Sequence, residues 1–219
     1  MDLLKKFVSL SENLGIVSDF VFFNLNDHPT LKFLSQKELE IYSKFTSLKR
    51  KNEFVAGRIA SKKAFFRFSS EEIDYFEKFP SVSILNTQTG SPFIENSNLH
   101  ISISHSHGVA IASVSKHVVG VDIEQIELKR IHALKRISKE FPSEKVRELT
   151  VLWTLKESLC KALKTGFIED FQLYETKNFQ RENGIYRCKF RNFPFFGIAV
   201  ANEKYALSIV SNSYEQFTS

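Results

Sequence analysis

The chain has 219 residues, of which 42% are hydrophobic and 25% are charged. This composition is typical of a soluble globular protein and excludes a disordered tail or a fibrous repeat. The formal net charge is +5 and the isoelectric point is near 9.1. That balance favours an anionic partner: a nucleic acid, a phosphate-rich cofactor or an acidic protein.

The first part of the chain predicts one strand and two helices. Residues 19–25 (DFVFFNL) form a short apolar run that is typical of a buried strand. Ser35 and Glu38 match a capping box, which predicts a helix that runs toward Leu48. A second helix is predicted over residues 50–68, because apolar residues recur there at helical spacing.

The middle of the chain predicts a loop followed by strands. Residues 81–98 are loop-like, with a turn at Gly90-Ser91-Pro92. Apolar and polar residues then alternate over residues 101–111, and residues 118–124 form another strand-like run.

The last third of the chain predicts one strong helix and several strands. The helix begins at Ser143, and Gly166 lies just beyond its end, where a left-handed cap is expected. Apolar or alternating segments then predict strands over residues 171–179, 185–190, 195–200 and 205–210, with turns at Asn183-Gly184 and Asn202-Glu203. Helices and strands are mixed without a regular βαβ order, which favours an α+β fold. We predict two halves of similar size, residues 1–117 and 118–219.

The cysteine pattern, together with the lack of a predicted transmembrane or signal segment, favours a cytoplasmic protein. Cys160 and Cys188 match no disulfide or zinc spacing, so we expect two free thiols. No apolar run reaches the ~18 residues that a transmembrane helix needs. The start of the chain, residues 1–6, lacks the apolar region of a signal peptide.

Asp122 and Glu124 are two residues apart in a predicted strand, so their side chains share one face. Two neighbouring carboxylates repel each other unless a cation lies between them or one of them is protonated. Such a pair suits Mg²⁺, which binds one or two carboxylates together with substrate phosphates. The alternative is that both side chains face solvent at the end of the strand.

Glu157 and Lys161 are four residues apart on the predicted helix, in the order that favours a surface ion pair. Trp153 precedes Glu157 by one turn, so the same helix face also bears a large aromatic residue. If Glu157 approached Asp122 and Glu124, three carboxylates would surround a metal ion, and Lys161 would neutralise charge on a phosphate.

Two further polar groups have alternative interpretations. His105 and His107 share a face if their segment is extended, and they fit zinc, a phosphate, or polar residues at a strand end. The predicted helix over residues 50–68 contains four basic residues that either bind phosphate or form its solvated face: Arg50, Arg58, Lys62 and Lys63. Gly57 in the same helix indicates a close approach by another element.

Five segments follow one another in a recognisable order: KNEFVAGRIASKKAF (51–65), GSPF (90–93), ISISHS (101–106), VGVDIE (119–124) and WTLKESLCKALKTGF (153–167). In this combination and spacing the chain resembles the Sfp-like 4′-phosphopantetheinyl transferases. The first segment resembles the branch that serves enterobactin synthesis. The segments extend over more than half of the chain.

The resemblance implies a fold and a reaction. The fold has two similar α+β halves, related by a pseudo-two-fold axis within one monomer, with the active site in the cleft between them. The reaction moves the phosphopantetheine arm of coenzyme A to a serine of an apo acyl or peptidyl carrier protein and releases 3′,5′-ADP. Such carriers are typically acidic, which agrees with the basic isoelectric point.

The resemblance also implies residue roles. Asp122, Glu124 and Glu157 match the family's Mg²⁺ ligands, and Glu157 also matches a base that takes the serine proton directly or through water. Lys161 matches the lysine that contacts the transferring phosphate. A bound cation lowers the pKa of a ligating carboxylate, which opposes the second role of Glu157.

Further contacts to coenzyme A follow from the same match. His105 belongs to the catalytic set, beside the coenzyme phosphates, and Ser104 is a neighbouring contact. Arg50 and Arg58 match basic positions near the nucleotide, and Lys156 is expected to contact the nucleotide as well.

The sequence departs from the family pattern at two positions. Many members have a basic residue before the proline of the Gly-x-Pro turn, where this chain has Ser91. One phosphate contact is therefore missing or supplied by another residue. A glycine is usual near Lys164, and only Gly166 remains here. His107 matches no role in the family.

Two rival hypotheses remain. One is a non-catalytic homologue that binds coenzyme A, which the complete set Asp122, Glu124, Glu157 and Lys161 opposes. The other is a nucleic-acid-binding protein, suggested only by the isoelectric point and the basic helix, with no motif in support. The sequence leaves the carrier class and the choice between Mg²⁺ and Mn²⁺ open.

Overall fold

Two antiparallel sheets, each covered by a long helix, form the framework of the protein. The computed structural model describes residues 2–70, 75–139, 141–166 and 171–213. Strands pair in the order β1-β5-β4 in the first sheet and β6-β10-β9-β8-β7 in the second, and β2 and β3 form a separate hairpin. The first half contains α1 (Asp2–Glu12), β1 (Val17–Phe22), α2 (Gln36–Tyr42), α3 (Leu48–Phe68), a 3₁₀ helix (Tyr75–Ser81), β2 (Ile84–Asn86), β3 (Pro92–Ile94), β4 (His100–Ser106) and β5 (Val109–Ser115). The second half contains β6 (Val119–Gln125), a 3₁₀ helix (Leu128–Arg130), α4 (Ile131–Ile137), α5 (Val146–Leu163), a 3₁₀ helix (Phe171–Tyr174), β7 (Thr176–Glu182), β8 (Ile185–Phe190), β9 (Phe196–Ala201) and β10 (Tyr205–Ser211).

Both long helices pack on the sheet of their own half. Helix α3 contacts β1, β4 and β5, and α5 contacts β6, β9 and β10. The α+β prediction is therefore confirmed. The opposite sides of both sheets share one apolar core with α1, which brings Phe7 against Ile111, Val121 and Ile209. The division at residue 117 stays a prediction. None of the described helices has the length and apolar composition needed to cross a membrane.

Three serine side chains join the two sheets. Strand β4 is an edge strand of the first sheet and β6 is an edge strand of the second, and no backbone ladder pairs the two strands. Instead, alternate serines of β4 accept hydrogen bonds from alternate backbone N–H groups of β6: Ser102 from Val121 (3.0 Å), Ser104 from Ile123 (3.3 Å) and Ser106 from Gln125 (3.3 Å). We call this row the serine seam. It satisfies backbone donors that would otherwise be unpaired along the β6 edge.

A glycine allows the closest contact between strand and helix. A Cβ atom on Gly120 would lie 1.8 Å from the Ser158 carbonyl oxygen and 2.8 Å from the Ala162 nitrogen. Only glycine therefore permits β6 to approach α5 so closely. At Gly57 a Cβ atom would meet Ile103 Cγ2 at 3.2 Å, in agreement with the predicted close approach to that helix.

The predicted elements differ from the structure mainly at their ends. The helix expected from Ser35 toward Leu48 ends at Tyr42, and Leu48 is the first residue of α3. Its capping box is present: Ser35 Oγ accepts from Glu38 N and Glu38 Oε2 accepts from Ser35 N. The strand expected over residues 19–25 is β1, which starts and ends earlier. Residues 81–98 are not all loop, because they contain the β2–β3 hairpin, whose three-residue strands are too short to show a period.

The last third shows the same kind of difference. Helix α5 begins at Val146 rather than Ser143, whose hydroxyl instead accepts from Lys145 N. Its left-handed cap is Lys164, and Gly166 is left-handed two residues later. Residues 171–174 form a 3₁₀ helix rather than part of a strand. The turn at Asn183-Gly184 joins β7 and β8, with positive φ at both residues. Both cysteines are free and buried, as predicted.

The solvated-face interpretation of the basic cluster is wrong for two of its members. Lys62 is completely buried, and its Nζ donates to Glu38 Oε2 at 2.6 Å and to the Phe33 carbonyl at 2.8 Å. Arg58 is only 5% exposed. Glu38, itself fully buried, also accepts from Ile84 N and thereby ties α2, α3 and β2 together.

Candidate active site

A cleft lies between α3 and α5, with strand β4 beneath it. It consists of two adjoining cavities of about 250 and 440 Å³, which share Gly90, Pro92 and Ile103 in their walls. The smaller cavity faces Glu157 and Lys161 of α5. The larger cavity faces α3 and is lined by its polar residues Arg50, Glu53 and Arg58 and by His105 of β4. Elements of both predicted halves therefore line one cleft.

Asp122 lies in β6, directly behind Lys161. The period of two along the strand turns Gly120, Asp122 and Glu124 toward α5, while Val121 and Ile123 enter the shared core. Asp122 is 4% exposed, and its Oδ1 accepts from Lys161 Nζ and from Ser104 Oγ, both at 2.7 Å. Its other oxygen, Oδ2, is buried without a hydrogen-bond partner.

Glu124 is held by two donors that flank β6. Its Oε1 accepts from Trp153 Nε1 at 3.0 Å, and its Oε2 forms an ion pair with Arg130 Nη1 at 2.8 Å. The predicted aromatic residue on the Glu157 face of α5 thus has a polar contact of its own, which fixes one carboxylate oxygen of Glu124.

Glu157 is a buried carboxyl among other charges. The pKa of Glu157 is raised to about 7, mainly by burial and then by the charges of Asp122 and Glu124, against the opposing charges of Lys161 and Arg130. Asp122 and Glu124 are therefore close enough to affect the ionisation of Glu157. In the described part of the chain, however, no three acidic, histidine or cysteine side chains already converge closely enough to hold a metal ion.

His105 of β4 lines the larger cavity together with residues of α3. Its Nδ1 is 3.6 Å from Glu53 Oε1 of α3. Burial is the main cause that lowers the pKa of His105; Glu53 opposes the shift, and Lys161 and Arg50 add to it. The sequence analysis did not predict Glu53, because its approach to His105 depends on how α3 packs on β4.

Arg58 is anchored on three sides. Its Nη2 donates to Asn86 Oδ1 at 2.5 Å, its guanidinium lies 4.3 Å from the centre of the Phe54 ring, and its Nε is 3.9 Å from Glu38 Oε1. Burial lowers its pKa to about 10, against the opposing charge of Glu38. Arg50, on the same helix, lies over the ring of Phe45 at 5.5 Å.

Lys156 and Ser104, two residues predicted to contact coenzyme A, are buried and do not line the two cavities. Lys156 is fully buried, and its Nζ donates to the Ile137 carbonyl at 2.7 Å, so it lines neither cavity. Ser104 is also buried, and its hydroxyl is occupied by Asp122 and the Ile123 N–H. Lys156 is thus a residue of the interior, and Ser104 orients Asp122 rather than facing a ligand.

Comparison with known proteins identifies the family. Residues 40–115 match a model of the 4′-phosphopantetheinyl transferase N-terminal domain, and residues 118–210 match the 4′-phosphopantetheinyl transferase superfamily. A holo-[acyl-carrier-protein] synthase of Petrotoga mobilis is 34% identical over 102 residues, which cover 41% of this chain and 82% of that protein. The chain belongs to the 4′-phosphopantetheinyl transferase superfamily.

Other similar proteins carry related names. The holo-[acyl-carrier-protein] synthase of Bacillus subtilis is 35% identical over 88 residues, covering 38% of this chain and 72% of its own length. The 4′-phosphopantetheinyl transferase gsp of Aneurinibacillus migulanus is 28% identical over 119 residues, covering 49% of this chain and 50% of its own length. A solved holo-(acyl-carrier-protein) synthase from Bacillus anthracis, in complex with CoA (3′,5′-ADP), is 29% identical with a TM-score of 0.40, and the match covers 46% of this chain and 92% of that one.

The superfamily membership agrees with the resemblance predicted from the five segments. All five lie around the cleft or behind it: the first on α3, the second at the β2–β3 turn, and the others on β4, β6 and α5. His107, which matches no family role, lies at the β4–β5 turn with a positive φ of 45° and hydrogen-bonds Ser106.

Proposed function

We propose that this chain transfers the 4′-phosphopantetheine arm of coenzyme A to a serine of an apo acyl or peptidyl carrier protein. The observation that supports this most strongly is that two groups of residues line one cleft. Glu157 and Lys161 line the smaller cavity, with Asp122 behind Lys161, and Arg50, Arg58 and His105 line the larger cavity. An ammonium held by a buried carboxylate suits a transferring phosphate, and the basic residues of the larger cavity suit a nucleotide that carries further phosphates.

The transfer forms one bond and breaks one bond. The serine oxygen of the carrier attacks the phosphorus that bears pantetheine, and the bond from that phosphorus to the bridging oxygen of the pyrophosphate breaks. The leaving group is 3′,5′-ADP, and the serine proton passes to a base. Lys161 stabilises the charge that develops on the phosphate oxygens, since such transfers depend mainly on positioning and charge stabilisation.

Glu157 is our candidate for the base, acting directly or through a water molecule. Without a bound cation the pKa of Glu157 is raised to about 7, mainly by burial, which is close to the pH at which a general base acts. A cation bound to the same carboxylate lowers that pKa and weakens Glu157 as a base. His105 lies at the coenzyme phosphates in this proposal, where its position between Glu53 and Lys161 allows it to donate a hydrogen bond.

We further propose that Asp122, Glu124 and Glu157 hold Mg²⁺. The buried, unpartnered Oδ2 of Asp122 fits this assignment, because such an oxygen is costly to bury without a cation or donor. Three carboxylate ligands also match the oxygen preference of the ion. When bound, Mg²⁺ would polarise the pyrophosphate and neutralise charge on its oxygens.

The partner and setting follow the same proposal. We expect an acidic carrier protein, since the chain has a net charge of +5, and complementary charge accelerates encounter. We also expect a cytoplasmic monomer.

The test is intact-mass spectrometry of apo carrier proteins from fatty acid, polyketide and non-ribosomal peptide pathways. Each carrier is incubated with this chain, coenzyme A and Mg²⁺, with EDTA as a control. A mass gain of one phosphopantetheine that EDTA abolishes is expected. No gain on any carrier, while coenzyme A still binds, would favour the alternative of a non-catalytic coenzyme A-binding homologue.

A further inference from the structure

Lys164 ends helix α5 in a conformation that a lysine rarely adopts. Its φ and ψ are 58° and 23°, in the left-handed region, and its N–H bonds back to the Lys161 carbonyl. Any residue with a Cβ atom is strained there, and glycine is the usual residue at this point of a helix. Strain of this kind is often stored at functional sites, so the lysine side chain calls for an explanation.

Lys164 is one of the residues that line the smaller cavity of the cleft. Lys161, three residues earlier, lines the same cavity, as do Thr89 and Ser91 of the β2–β3 turn. Residues three apart on a helix are neighbours, so the two lysines lie on the same side of this cavity. They differ in one respect: Lys161 is paired with Asp122, whereas no ion pair joins Lys164 to any carboxylate of the described residues.

The charge of Lys164 also affects a histidine at the start of the neighbouring strand β4. Burial lowers the pKa of His100, at the start of β4, and the charges of Lys164 and His117 lower it further. In the smaller cavity, Thr89 and Ser91 lie together with Lys161 and Lys164, and Glu157 is the one carboxylate among the described lining residues. Such a combination suits an anionic oxygen ligand.

We propose that Lys164 binds a phosphate of coenzyme A and sets the affinity of the cleft for the donor, an inference that rests on the proposed function. Lys161 is held against Asp122, so it is placed for the reacting phosphate. Lys164 is exposed and forms no ion pair with the residues that the structure describes, so it contributes binding rather than chemistry. The phosphate belongs either to the pyrophosphate or to the 3′ position, since both present the same anionic oxygens.

Replacing Lys164 by glycine separates a binding role from a structural one. Lys164→Gly removes the ammonium and relieves the left-handed strain, so the urea midpoint of unfolding should rise. The KM for coenzyme A and the Kd for coenzyme A, the latter measured by calorimetry, should nevertheless increase about 3- to 10-fold, with kcat within about two-fold. A lysine that only ended the helix would give tighter or unchanged binding in this variant.

Two further variants complete the test. Ser91→Lys combined with Lys164→Gly places an ammonium on another wall of the same cavity and should recover most of the lost affinity. Lys177→Ala removes the same charge from an exposed position on β7, outside the cleft, and should leave KM unchanged. Unchanged KM and Kd in Lys164→Gly would overturn the proposal.

The choice of donor identifies the phosphate. If the effect of Lys164→Gly disappears with 3′-dephospho-coenzyme A, Lys164 binds the 3′-phosphate; if it persists, Lys164 binds the pyrophosphate. Wild-type protein that binds 3′,5′-ADP but transfers nothing contradicts the proposed function alone, because the Kd comparison still tests Lys164. Wild-type protein that binds neither nucleotide overturns both proposals.

Discussion

The chemistry proposed for the cleft depends on Lys161 at the scale of single residues. Its Nζ is held at 2.7 Å by Asp122 Oδ1, which fixes the ammonium in the smaller cavity. Lys161→Ala should lower kcat by about 100-fold, the usual effect of removing one preorganised charge, and change the Kd for coenzyme A by less than about 3-fold. Steady-state kinetics with calorimetry separates the two quantities, and Lys161→Arg, which keeps the charge, should recover part of the turnover. An unchanged kcat in Lys161→Ala would remove Lys161 from the chemistry.

The raised pKa of Glu157 makes stability depend on pH in a defined direction. Its folded-state pKa is about 7, above the ordinary 4.5, because burial and Asp122 oppose ionisation. The folded state therefore binds the proton more tightly than the unfolded state between these values, so stability falls as pH rises from about 4.5 through 7. In metal-free buffer, the free energy of unfolding of Glu157→Gln should rise relative to that of wild type by up to ~3 kcal/mol as the pH increases over this range.

Urea unfolding of wild type and Glu157→Gln at pH 5 and pH 8 measures this difference. Titrating groups remote from Glu157 are common to both proteins and cancel in the comparison. Stability curves that run parallel at the two pH values would show that Glu157 ionises normally in the folded protein.

The sequence identified residues whose positions follow from local periodicity. Asp122 and Glu124 share a face because strands have a period of two, and Glu157 and Lys161 are one helical turn apart. Glu53 and Asn86 were not predicted, because their partners come from other elements. Lys156 was assigned to the nucleotide from its motif, although the motif does not reveal which side of the helix becomes the interior.

At the scale of elements, the approach of β6 to α5 sets the distance between the carboxylates and Lys161. Gly120→Ala would place a methyl group against backbone atoms of Ser158 and Ala162, which cannot move without shifting α5. We expect a loss of about 3 kcal/mol in the free energy of unfolding and loss of transfer.

Gly57→Ala is the matched comparison for Gly120→Ala. Its new methyl group would meet the Cγ2 methyl group of Ile103 at 3.2 Å rather than backbone atoms, and alanine is favoured over glycine inside a helix by about 1 kcal/mol. Its unfolding free energy should stay within about 1 kcal/mol of wild type. Equal losses in the two variants, measured by urea denaturation, would argue against the backbone contact as the cause.

The serine seam gives a second prediction at this scale. Ser102 is buried, so Ser102→Ala would leave the Val121 N–H without a partner and should destabilise the protein by about 1–3 kcal/mol. Ser106 is half-buried, so water can replace it at the Gln125 N–H, and Ser106→Ala should have a smaller effect. Similar effects of the two substitutions would contradict this role of burial.

Element types were predictable from the sequence more readily than their ends and contacts. The capping box at Ser35 and the turn at Asn183-Gly184 have local causes, and both are present. The β2–β3 hairpin was missed because three-residue strands show no period. The serine seam was also missed, because serines that alternate with apolar residues indicate the solvated face of a strand. The partners of these serines are backbone groups of β6, which come from another part of the chain.

At the scale of the whole molecule, the two sheets place one long helix on each side of a single cleft. Helix α3 supplies Arg50 and Arg58, α5 supplies Glu157 and Lys161, and β6 supplies Asp122 from behind. In the proposed function, this arrangement separates a nucleotide-binding side from a transfer side. We therefore expect that a single substitution can abolish transfer without abolishing binding.

The substitution Asp122→Asn tests whether nucleotide binding and transfer are separable. It keeps the shape of the side chain but removes the charge that orients Lys161 and, as we propose, binds Mg²⁺. Wild type and variant are compared in parallel time courses of intact carrier mass, with 3′,5′-ADP binding and urea unfolding as controls. We expect wild type to add one phosphopantetheine per carrier, whereas the folded variant binds 3′,5′-ADP and transfers none. Transfer by Asp122→Asn at the wild-type rate would contradict the role of Asp122 in the proposed transfer.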